Sequence, residues 1–597
     1  MNELADTIDL APPLSQAIPL SLTGCEWVFK AADDRLTTTL MQQHDLPEVL
    51  ARILAARGAK IEDVEDFLNP SLKHLLPDPY HLKDMDVAAA RVAKAITNKE
   101  TIAIFGDYDV DGATSSALLM QYFRALGSNP IVYIPDRMTE GYGPNAKAML
   151  TLQERGASVV ITVDCGTLAF EALDAAHEVG LDVIVVDHHQ GEARLPKACA
   201  VVNPNRLDET SEHRHLAAVG VAFLLAVAVN KKLREQGLVV PDLRQWLDIV
   251  ALGTVCDVVS LTGVNRAFVT QGLKVMAARG NVGIRAVLDM AGIAEKPGVY
   301  HAGFVIGPRI NAGGRVGKSD LGVRLLTSED EQEAKGLAAE LDKHNAERKA
   351  IESLVQEEAM QHAEAQADEP LILVQGKSWH PGVIGIVAGR IKERFNRPVA
   401  VIALADGLGK ASARSVSGFD MGAAVIAARD AGLLVAGGGH AMAAGFTVEE
   451  HKMAELRAFL LARAMTKHAE LTRHKRLHLD AELTLAGVTE DLVEKIERLG
   501  PFGQGNPSVR VVVRGVINMK PEIVGESHIR TFLKDKLGKG SVSAIAFRAV
   551  DSKLGEALFA TRGKLLDIAC QMKINEWMGK RSVNLVIEDI ASTCEAL

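Results

Sequence analysis

The chain has 597 residues, of which 48% are hydrophobic and 24% are charged. This length is too great for one hydrophobic core and predicts roughly three or four domains, and the composition excludes a largely disordered or fibrous protein. The net charge of −10 argues against a protein that coats nucleic acid indiscriminately. Residues 471–597 carry 19 Lys and Arg against 16 Asp and Glu, so any phosphate binding is expected to be local.

The cysteines and the start of the sequence exclude further classes. The six cysteines include no Cys-x-x-Cys pair, which indicates neither a disulfide framework nor a thiolate zinc site. The N-terminus shows no basic stretch followed by an apolar run, and no window of about 18 uncharged apolar residues occurs. We therefore expect a cytoplasmic protein that is neither exported nor membrane-spanning.

The first domain signal begins near residue 100, so residues 1–75 are interpreted as an N-terminal extension and lead-in. Short apolar runs then alternate with helix-like segments, which is typical of a parallel sheet flanked by helices. This pattern predicts a doubly wound α/β domain over residues 76–327. Its predicted strands are Thr101–Phe105, Ile131–Ile134, Ser158–Val163 and Asp182–Val186.

A long helix and a second α/β lobe are predicted next. Ser328–Ala367 is charged, rich in Ala, Glu, Lys and Leu, and free of Pro, which predicts a helix linking two lobes over residues 328–368. Residues 369–466 resume the alternation and predict the smaller α/β lobe. Its main segments are strands Leu371–Val374 and Pro398–Ala403, helix Ile384–Phe395 and the glycine cluster Gly437–Gly439.

The last region, residues 467–597, contains short β-runs broken by turns. These runs are Val511–Ile517, Val542–Phe547, Leu566–Ile574 and Ser582–Ile590. They favour a small β-barrel of the OB type, which we interpret by fold analogy as a nucleic-acid-binding domain. The predicted architecture is thus α/β, with two α/β lobes joined by a long helix and a C-terminal OB-type barrel.

Three acids follow the first predicted strand directly: Asp107, Asp109 and Asp111. The carboxyl ends of strands in an open α/β sheet face the ligand crevice, and three crowded carboxylates repel one another unless cations neutralise them. An EF-hand calcium loop also begins Asp-x-Asp-x-Asp-Gly, but its twelfth position here is Leu118 instead of Glu, and the segment follows a strand. A purely structural acidic turn remains the alternative for this motif taken alone.

Two more predicted strands end in residues that can bind metal. Asp164 follows the third strand, and Asp187-His188-His189 follows the fourth. Asp257 lies in an otherwise apolar run, where an unpaired carboxylate is costly, although a lone acid of this kind is more often a helix cap or an ion-pair partner. One such strand end is mostly a polar cap, but three in one sheet converge on one crevice. Many oxygen ligands with imidazole and no thiolate suit two Mn²⁺ or Mg²⁺ ions, which clamp the reacting oxygens of a phosphoryl displacement.

The full set of motifs resembles the RecJ exonucleases of the DHH phosphoesterase superfamily, from about residue 75 to 590. No ligand position departs from the family pattern. Besides the acidic motifs and Asp187-His188-His189, the matching segments are Arg309–Arg315, His380–Val383, Ser412–Ser415, Gly437–Gly445 and Pro501–Pro507.

The resemblance implies a role for individual residues. The implied metal ligands, with Asp164 bridging the two ions, are Asp109, Asp111, Asp164, His188 and Asp257. It also implies that Asp107 adjoins the attacking water and that His189 contacts the scissile phosphate. Arg309 or Arg315 would stabilise charge on the phosphoryl oxygens.

A second implied set binds phosphate or substrate. Its members are Arg137, Asn311, His380, Ser412, Arg414 and His440. In the family, the smaller lobe faces the metal site across a cleft, where it can hold the terminal phosphate. For any single Arg the alternative is a surface ion pair, and glycine triplets usually form turns.

The activity implied by the resemblance is metal-dependent degradation of single-stranded DNA from its five-prime end to mononucleotides, in DNA recombination, repair and mismatch repair. The implied partners are single-stranded DNA, single-strand-binding protein and a RecQ-type or mismatch-repair helicase. No Gly-x-x-x-x-Gly-Lys-Ser or Thr occurs, so ATP dependence is not predicted. Polarity and the preference for DNA follow from the resemblance alone.

Two other functions share parts of this pattern. A pyrophosphatase or a nuclease of very short RNA from the same superfamily would use the same metal chemistry, but such relatives resemble only the two α/β lobes. A non-enzymatic relative that keeps the fold would lack several of the acids, all of which are present here. The predicted barrel with local positive charge therefore favours an enzyme that grips a polymer.

Overall fold

The computed structural model describes residues 20–136, 139–467, 475–536, 540–577 and 580–593. These residues form two compact units. The described residues of the first unit lie within 20–64, 475–499 and 508–593, and those of the second within 65–467 and 500–507.

The described N-terminal segment begins with a short strand, β1 (Glu26–Phe29), followed by two helices, Asp34–His44 and Glu48–Ala56. Asp33 caps the first helix because its side chain accepts hydrogen bonds from two backbone N–H groups of the first turn. Short helical turns follow at Ile61–Asp63, Val64–Leu68, Leu72–Leu75 and Pro79–His81.

A parallel sheet forms the centre of the second unit. Its strands are β2 (Ile102–Gly106), β3 (Ile131–Tyr133), β4 (Val159–Val163), β5 (Asp182–Val186) and β6 (Ala200–Val202). They lie in the order β3-β2-β4-β5-β6, and every pair is parallel. The prediction of a doubly wound parallel sheet is confirmed, and β6 is a strand that the sequence did not indicate.

Helices cover both faces of this sheet. Ile102 and Ile104 pack into a core on one face, whereas Ala103 and Phe105 pack into a core on the other, so β2 is apolar at every position. The helices and helical turns of this region are Met85–Thr97, Val110–Ala125, Ala146–Glu154, Phe170–Glu178, Ala218–Glu235, Leu243–Trp246, Leu247–Cys256, Gly263–Ala277, Val282–Met290, His301–Ile306, Gly307–Val316 and Leu321–Thr327.

The predicted linking helix is confirmed as Glu331–Glu364, with 34 residues and a length of about 50 Å. It begins later than the predicted Ser328 because the side chain of Asp330 caps it by accepting a hydrogen bond from the N–H of Glu333. Small and apolar residues such as Ala334 and Leu341 form its buried side.

The smaller lobe contains a mixed sheet. Its strands are β7 (Ile372–Lys377), β8 (Val399–Ala405), β9 (Leu408–Arg414), β10 (Ala436–His440) and β11 (Ala443–Glu449). The order is β10-β11-β9-β8-β7, and only the β7–β8 pair is parallel. Its helical segments are Ile384–Phe395, Met421–Asp430, Glu450–Lys452 and Met453–Met465. The glycine cluster Gly437–Gly439 lies inside β10 instead of forming a turn.

The C-terminal strands form a closed barrel in the first unit. They are β12 (Arg476–Leu479), β13 (Ala481–Leu483), β14 (Val511–Asn518), β15 (Glu522–Val524), β16 (His528–Asp535), β17 (Ser541–Ala546), β18 (Leu565–Trp577) and β19 (Lys580–Ser592). The β14–β16 pairing closes the ring β14-β18-β19-β17-β16, which is the five-stranded arrangement of an OB barrel. Helical segments of this region are Leu485–Gly487, Glu490–Glu497 and Lys553–Ala560.

The barrel also receives β1, which pairs in parallel with β12. No helix among the described residues is both long enough and apolar enough to cross a membrane.

Candidate metal centre and phosphate cleft

Three neighbouring strands deliver the predicted acids to one edge of the parallel sheet. Asp107 follows β2, Asp164 follows β4, and Asp187-His188-His189 follows β5. The structure brings their side chains together in three groups whose ligand atoms lie within 4.8 Å of one another. These groups are Asp107, Asp109 and Asp164; Asp111, His188 and Asp257; and Asp164, His188 and His189.

The turn after β2 is shaped by Asp109 and a glycine. Asp109 caps helix Val110–Ala125 by accepting hydrogen bonds from the N–H groups of Asp111, at 2.8 Å, and Gly112, at 3.1 Å. A Cβ atom at Gly112 would lie 2.4 Å from the carbonyl oxygen of Asp107. Glycine is therefore required for the close turn that places the three acids together.

Asp111 is held by the N-terminus of a second helix. Its carboxylate accepts hydrogen bonds from the N–H groups of Ala218, at 2.6 Å, and Val219, at 3.0 Å. Burial, followed by the charge of Asp109, raises the pKa of Asp111 to about 7, although the two backbone hydrogen bonds oppose these effects. A buried carboxylate with a raised pKa gains from a nearby cation.

His188 lies between the remaining acids. Its Nε2 is 3.2 Å from Asp164 Oδ1, and its Nδ1 is 3.6 Å from Asp257 Oδ2. Burial lowers the pKa of His188 to about 4, so the imidazole is neutral at pH 7 and has a lone pair for a metal. Burial, followed by the charges of neighbouring Asp residues, raises the pKa of Asp164 well above its ordinary value and that of Asp257 to about 9.

These side chains fit a divalent cation. Asp164 Oδ1, His188 Nε2 and Asp257 Oδ2 are buried atoms that make no hydrogen bond within the described parts of the chain. Such atoms are costly in a protein interior unless an ion or another polar group satisfies them. A set of oxygens with one or two imidazoles and no thiolate suits Mn²⁺ or Mg²⁺.

Asp187 orients the histidines. Its Oδ1 accepts hydrogen bonds from His188 N, at 2.7 Å, and His189 Nδ1, at 2.8 Å, while its Oδ2 accepts one from Thr167 N, at 3.0 Å. Although burial opposes ionisation, the hydrogen bond and charge of His189 lower the pKa of Asp187 below its ordinary value. Burial likewise opposes the charged form of His189, but its hydrogen bond to Asp187 raises the pKa of that imidazole.

Two asparagines that sequence reasoning missed support the same turn. Asn203 Nδ2 donates to the carbonyl oxygen of His189 at 2.9 Å, and Asn205 Nδ2 donates to that of His188 at 2.6 Å. Both follow β6, a strand that was not predicted. The Asn-Pro-Asn sequence after an apolar run is the only local signal for them.

Tyr142 is a further site residue that the sequence did not predict. Its hydroxyl donates to the carbonyl oxygen of Asp164 at 3.1 Å and lies 3.4 Å from His189 Nδ1. Tyr142 also lines a cleft of about 970 Å³ between the parallel-sheet lobe and the smaller lobe. It therefore connects the metal centre to the cleft.

Three predicted phosphate-binding or catalytic residues, Arg315, Ser412 and Arg414, line this cleft. Arg414 donates to Ser412 Oγ at 3.2 Å, and no carboxylate pairs with it in the described chain. Burial lowers the pKa of Arg414, which shows that its guanidinium is taken from water without a compensating anion. An incoming phosphate can supply that charge, and the planar guanidinium fork suits it. The glycines Gly437, Gly438 and Gly445 also line the cleft, and Gly445 pairs directly with Ser412 in the sheet.

Other predicted residues lie elsewhere. Arg309 pairs with Asp342 at 2.9 Å and donates to the carbonyl oxygen of Val305, and the described lining of the cleft does not include it. The lining does not include Asn311, His380 or His440 either. His380 lines an adjacent cavity of about 570 Å³. Arg137 lies outside the described residues.

The sequence matches three known domain families in order along the chain. They are the DHH family N-terminal domain over residues 101–254, the DHHA1 domain over residues 368–466 and the RecJ OB domain over residues 479–589.

Two bacterial relatives match over most of their length. The single-stranded-DNA-specific exonuclease RecJ of Escherichia coli (strain K12) is 36% identical over 573 residues, which cover 92% of this chain and 96% of the relative. The RecJ exonuclease of Bacillus subtilis (strain 168) is 34% identical over 573 residues, covering 95% of this chain and 70% of the relative. The crystal structure of RecJ from Thermus thermophilus in complex with Mn²⁺ superposes with a TM-score of 0.79 at 29% identity, covering 96% of this chain and 80% of that chain.

Proposed function

Because the chain belongs to the RecJ family of single-stranded-DNA-specific exonucleases, we propose that it degrades single-stranded DNA from the five-prime end to mononucleotides. The observation that carries this proposal is the convergence of three groups of metal-binding side chains beside a cleft that contains an uncompensated guanidinium. Such a site suits the hydrolysis of a phosphodiester next to a bound phosphate.

Two cations fit the observed groups. Asp107, Asp109 and Asp164 would hold one, and Asp111, His188 and Asp257 would hold the other. The two groups are neighbours, because Asp164 Oδ1 of the first lies 3.2 Å from His188 Nε2 of the second. Bound Mn²⁺ or Mg²⁺ supplies Lewis-acid stabilisation of the phosphoryl oxygens and lowers the pKa of water.

The residues of the chain position the reacting groups. His189, kept basic by Asp187, donates a hydrogen bond to the scissile phosphate and offsets charge that develops on its oxygens. Asp107 accepts a hydrogen bond from the attacking water. Tyr142 fixes the backbone at Asp164 and orients His189.

The residues that line the cleft support degradation from the five-prime end of the strand. Arg315, Ser412 and Arg414 would bind the five-prime phosphate across from the metal centre, so that the first phosphodiester bond reaches the cations. The described ion pair of Arg309 with Asp342 favours Arg315 over Arg309 as the group that stabilises the phosphoryl oxygens.

The remaining assignments follow from the family. We propose domain boundaries at residues 76–327, 328–368, 369–466 and 467–597, as the sequence predicted. We also propose a cytoplasmic location, roles in recombination and mismatch repair, and single-strand-binding protein and a RecQ-type or mismatch-repair helicase as partners. Phosphate binding by Arg137, Asn311, His380 and His440 is retained as part of the proposal.

The first experiment measures mononucleotide release from a five-prime-labelled single strand with Mn²⁺. The same strand annealed to its complement, an RNA copy, a dinucleotide and pyrophosphate serve as competing substrates. We expect rapid metal-dependent release from single-stranded DNA alone. Asp164→Ala should lower kcat by on the order of 1,000-fold, because the variant loses a carboxylate that would hold one ion and that lies 3.2 Å from His188 of the other ligand group.

The matched control is Asp368→Ala, which removes an exposed carboxylate just beyond the linking helix and should retain the activity of the wild-type protein. A preference for RNA, dinucleotides or pyrophosphate would overturn the assignment and place the protein in another branch of the superfamily. Equal activity of Asp164→Ala and Asp368→Ala would exclude the metal centre described here.

A further inference from the structure

The segment Gly500–Pro507, which we call the clip, has no role in the function proposed above. It belongs to the second unit, whereas the residues before and after it belong to the first. Gly503 and Asn506 exchange backbone hydrogen bonds of 2.9 and 3.2 Å, and Asn506 Nδ2 donates to the carbonyl oxygen of Pro501 at 2.9 Å. The clip is therefore a closed turn with its own internal bonds.

A buried arginine fastens the start of the clip. The guanidinium of Arg266 donates to the carbonyl oxygen of Gly500 and, at 2.8 and 3.0 Å, to that of Phe67. The same guanidinium lies 3.9 Å from the centroid of the Phe67 ring. Because Arg266 is 2% exposed, these contacts help to compensate its buried charge and to hold the start of the clip in place.

The clip packs directly against the loop that follows Asp257. The N–H of Leu261 donates to the carbonyl oxygen of Gln504 at 2.8 Å. A Cβ atom at Gly503 would lie 2.7 Å from Leu261 Cδ1. A Cβ atom at Gly505 would lie 2.8 Å from the Cβ and 3.2 Å from the Cα of Ser260. The two glycines thus permit a close contact with the loop, which is tightest against the backbone at Gly505.

The loop after Asp257 contains a strained residue that contacts from other segments must hold in place. Val258, directly after Asp257, has a φ of 58° and is 64% exposed. A β-branched residue is strained in this left-handed conformation, so the surrounding contacts must impose it. Asn265 adds a second tie, because its Nδ2 donates to the carbonyl oxygens of Ser260, at 3.0 Å, and His215, at 2.6 Å.

These hydrogen bonds connect the clip to the segments that carry Asp257 and that bind Asp111, the two carboxylates of one ligand group. Ser260 lies three residues after Asp257, and His215 lies just before the helix whose first N–H groups bind Asp111. We propose that the clip, through Gly503, Gln504 and Gly505, is a positioning element for the cation site formed by Asp111, His188 and Asp257. This inference rests on the proposed function and adds to it residues that touch neither the cation nor the DNA.

Gly505→Ala tests the proposal. The new methyl group meets the Ser260 backbone, and the φ of Gly505 is 72°. Calorimetric titration of the DNA-free protein with Mn²⁺ should show one of two ions bound on the order of 10-fold more weakly, as for other residues that support metal ligands. The activity at limiting Mn²⁺ should fall and recover when Mn²⁺ is raised.

Gly292→Ala is the matched control. Gly292 has a φ of 70° and no atom within 4 Å of its Cβ position, so the variant has the same backbone strain without a contact. If Gly505→Ala binds Mn²⁺ as tightly as Gly292→Ala, the clip has no positioning role. If Gly505→Ala does not fold, Gly503→Ala decides by the same titration, since its methyl group meets only the flexible end of Leu261. A wild-type protein that binds no Mn²⁺ or cleaves no single strand would overturn the proposed function instead.

Discussion

At the scale of single residues, Asp164 and Asp187 follow adjacent strands but have opposite electrostatic environments. Asp187 accepts hydrogen bonds from two histidine N–H groups of the backbone, from the His189 ring and from Thr167, and its pKa is lowered. Asp164 Oδ1 makes no hydrogen bond with any described residue, and burial raises the pKa of this carboxyl. Asp187 is therefore already stabilised by the protein, whereas Asp164 requires a cation.

Asp248 is a buried carboxylate outside the metal centre. It is 2% exposed at the start of helix Leu247–Cys256, accepts a hydrogen bond from the N–H of Ile249, and has no basic partner in the described chain. Burial raises its pKa to about 6 from an ordinary value of 3.8. Since the pKa is higher in the folded state, the contribution of Asp248 to stability is full below the unfolded pKa and is lost as the pH rises through 6.

We predict that Asp248→Asn removes this pH dependence, because the amide keeps the acceptor oxygen and carries no charge. Between pH 4 and pH 8 the wild-type protein should lose about 2 kcal/mol more free energy of unfolding than the variant. Chemical denaturation at both pH values measures the difference. Asp368→Asn, at an exposed site, should follow the wild-type protein. A constant difference between Asp248→Asn and wild type at the two pH values would show that Asp248 does not titrate in this range.

The convergence of the acids could be predicted because it depends on local sequence and on a general rule. Asp107 and Asp164 follow buried parallel strands, and the carboxyl ends of such strands meet at one edge. Tyr142 and Asn203 could not be found in this way, since their side chains reach the site from loops whose paths depend on tertiary packing. The ion pair of Arg309 was hidden for the same reason, because Asp342 lies 33 residues away on the linking helix.

At the scale of elements, strand β1 shows that the N-terminal segment is part of the barrel unit. Trp27 is 5% exposed and packs with Leu479, Val512 and Ala569 of the barrel unit. Its indole Nε1 donates to Asp589 Oδ2 at 2.7 Å. Part of the segment that the sequence left as an extension is therefore an integral piece of the barrel core.

Trp27→Ala should destabilise the first unit by about 3–5 kcal/mol, because it leaves a large cavity and removes the indole donor to Asp589 Oδ2. Trp27→Phe should cost less, since it keeps most of the apolar volume. Scanning calorimetry of the full chain measures both effects. Mn²⁺ affinity of the DNA-free variants should stay at the wild-type value, because the candidate ligands belong to the second unit. Wild-type thermal stability of Trp27→Ala would show that β1 is not required by the barrel.

At this scale, the elements that could be predicted are those with a clear local hydrophobic pattern. Strands β2, β4 and β5 are covered on both faces and are therefore short, continuous apolar runs. β1 and its partner β12 pair across about 450 residues, and no local pattern indicates such a contact. Strand β10 consists largely of glycine, which has low β-propensity, and its pairing with β11 is again a tertiary effect.

At the scale of the whole molecule, an acidic protein must bind a polyanion. The net charge is −10, so attraction to DNA cannot come from the average field of the chain. We therefore predict that it comes from local groups such as Arg414 in the cleft and from the C-terminal region, which has a small excess of basic residues. Binding of a long strand should then involve more phosphates than binding of a dinucleotide.

Salt dependence distinguishes local contacts with many phosphates from capture of one phosphate. For a long single strand, we predict that log KM rises with log salt with a slope of about 0.7 for each phosphate neutralised, measured between about 50 and 200 mM potassium chloride at saturating Mn²⁺. The slope for a dinucleotide should be smaller, because it offers few phosphates, and kcat should change little for either substrate. Equal slopes would mean that the cleft alone binds DNA and that the barrel adds no phosphate contact. A larger slope for the long strand would show that phosphate contacts outside the cleft contribute to polymer binding.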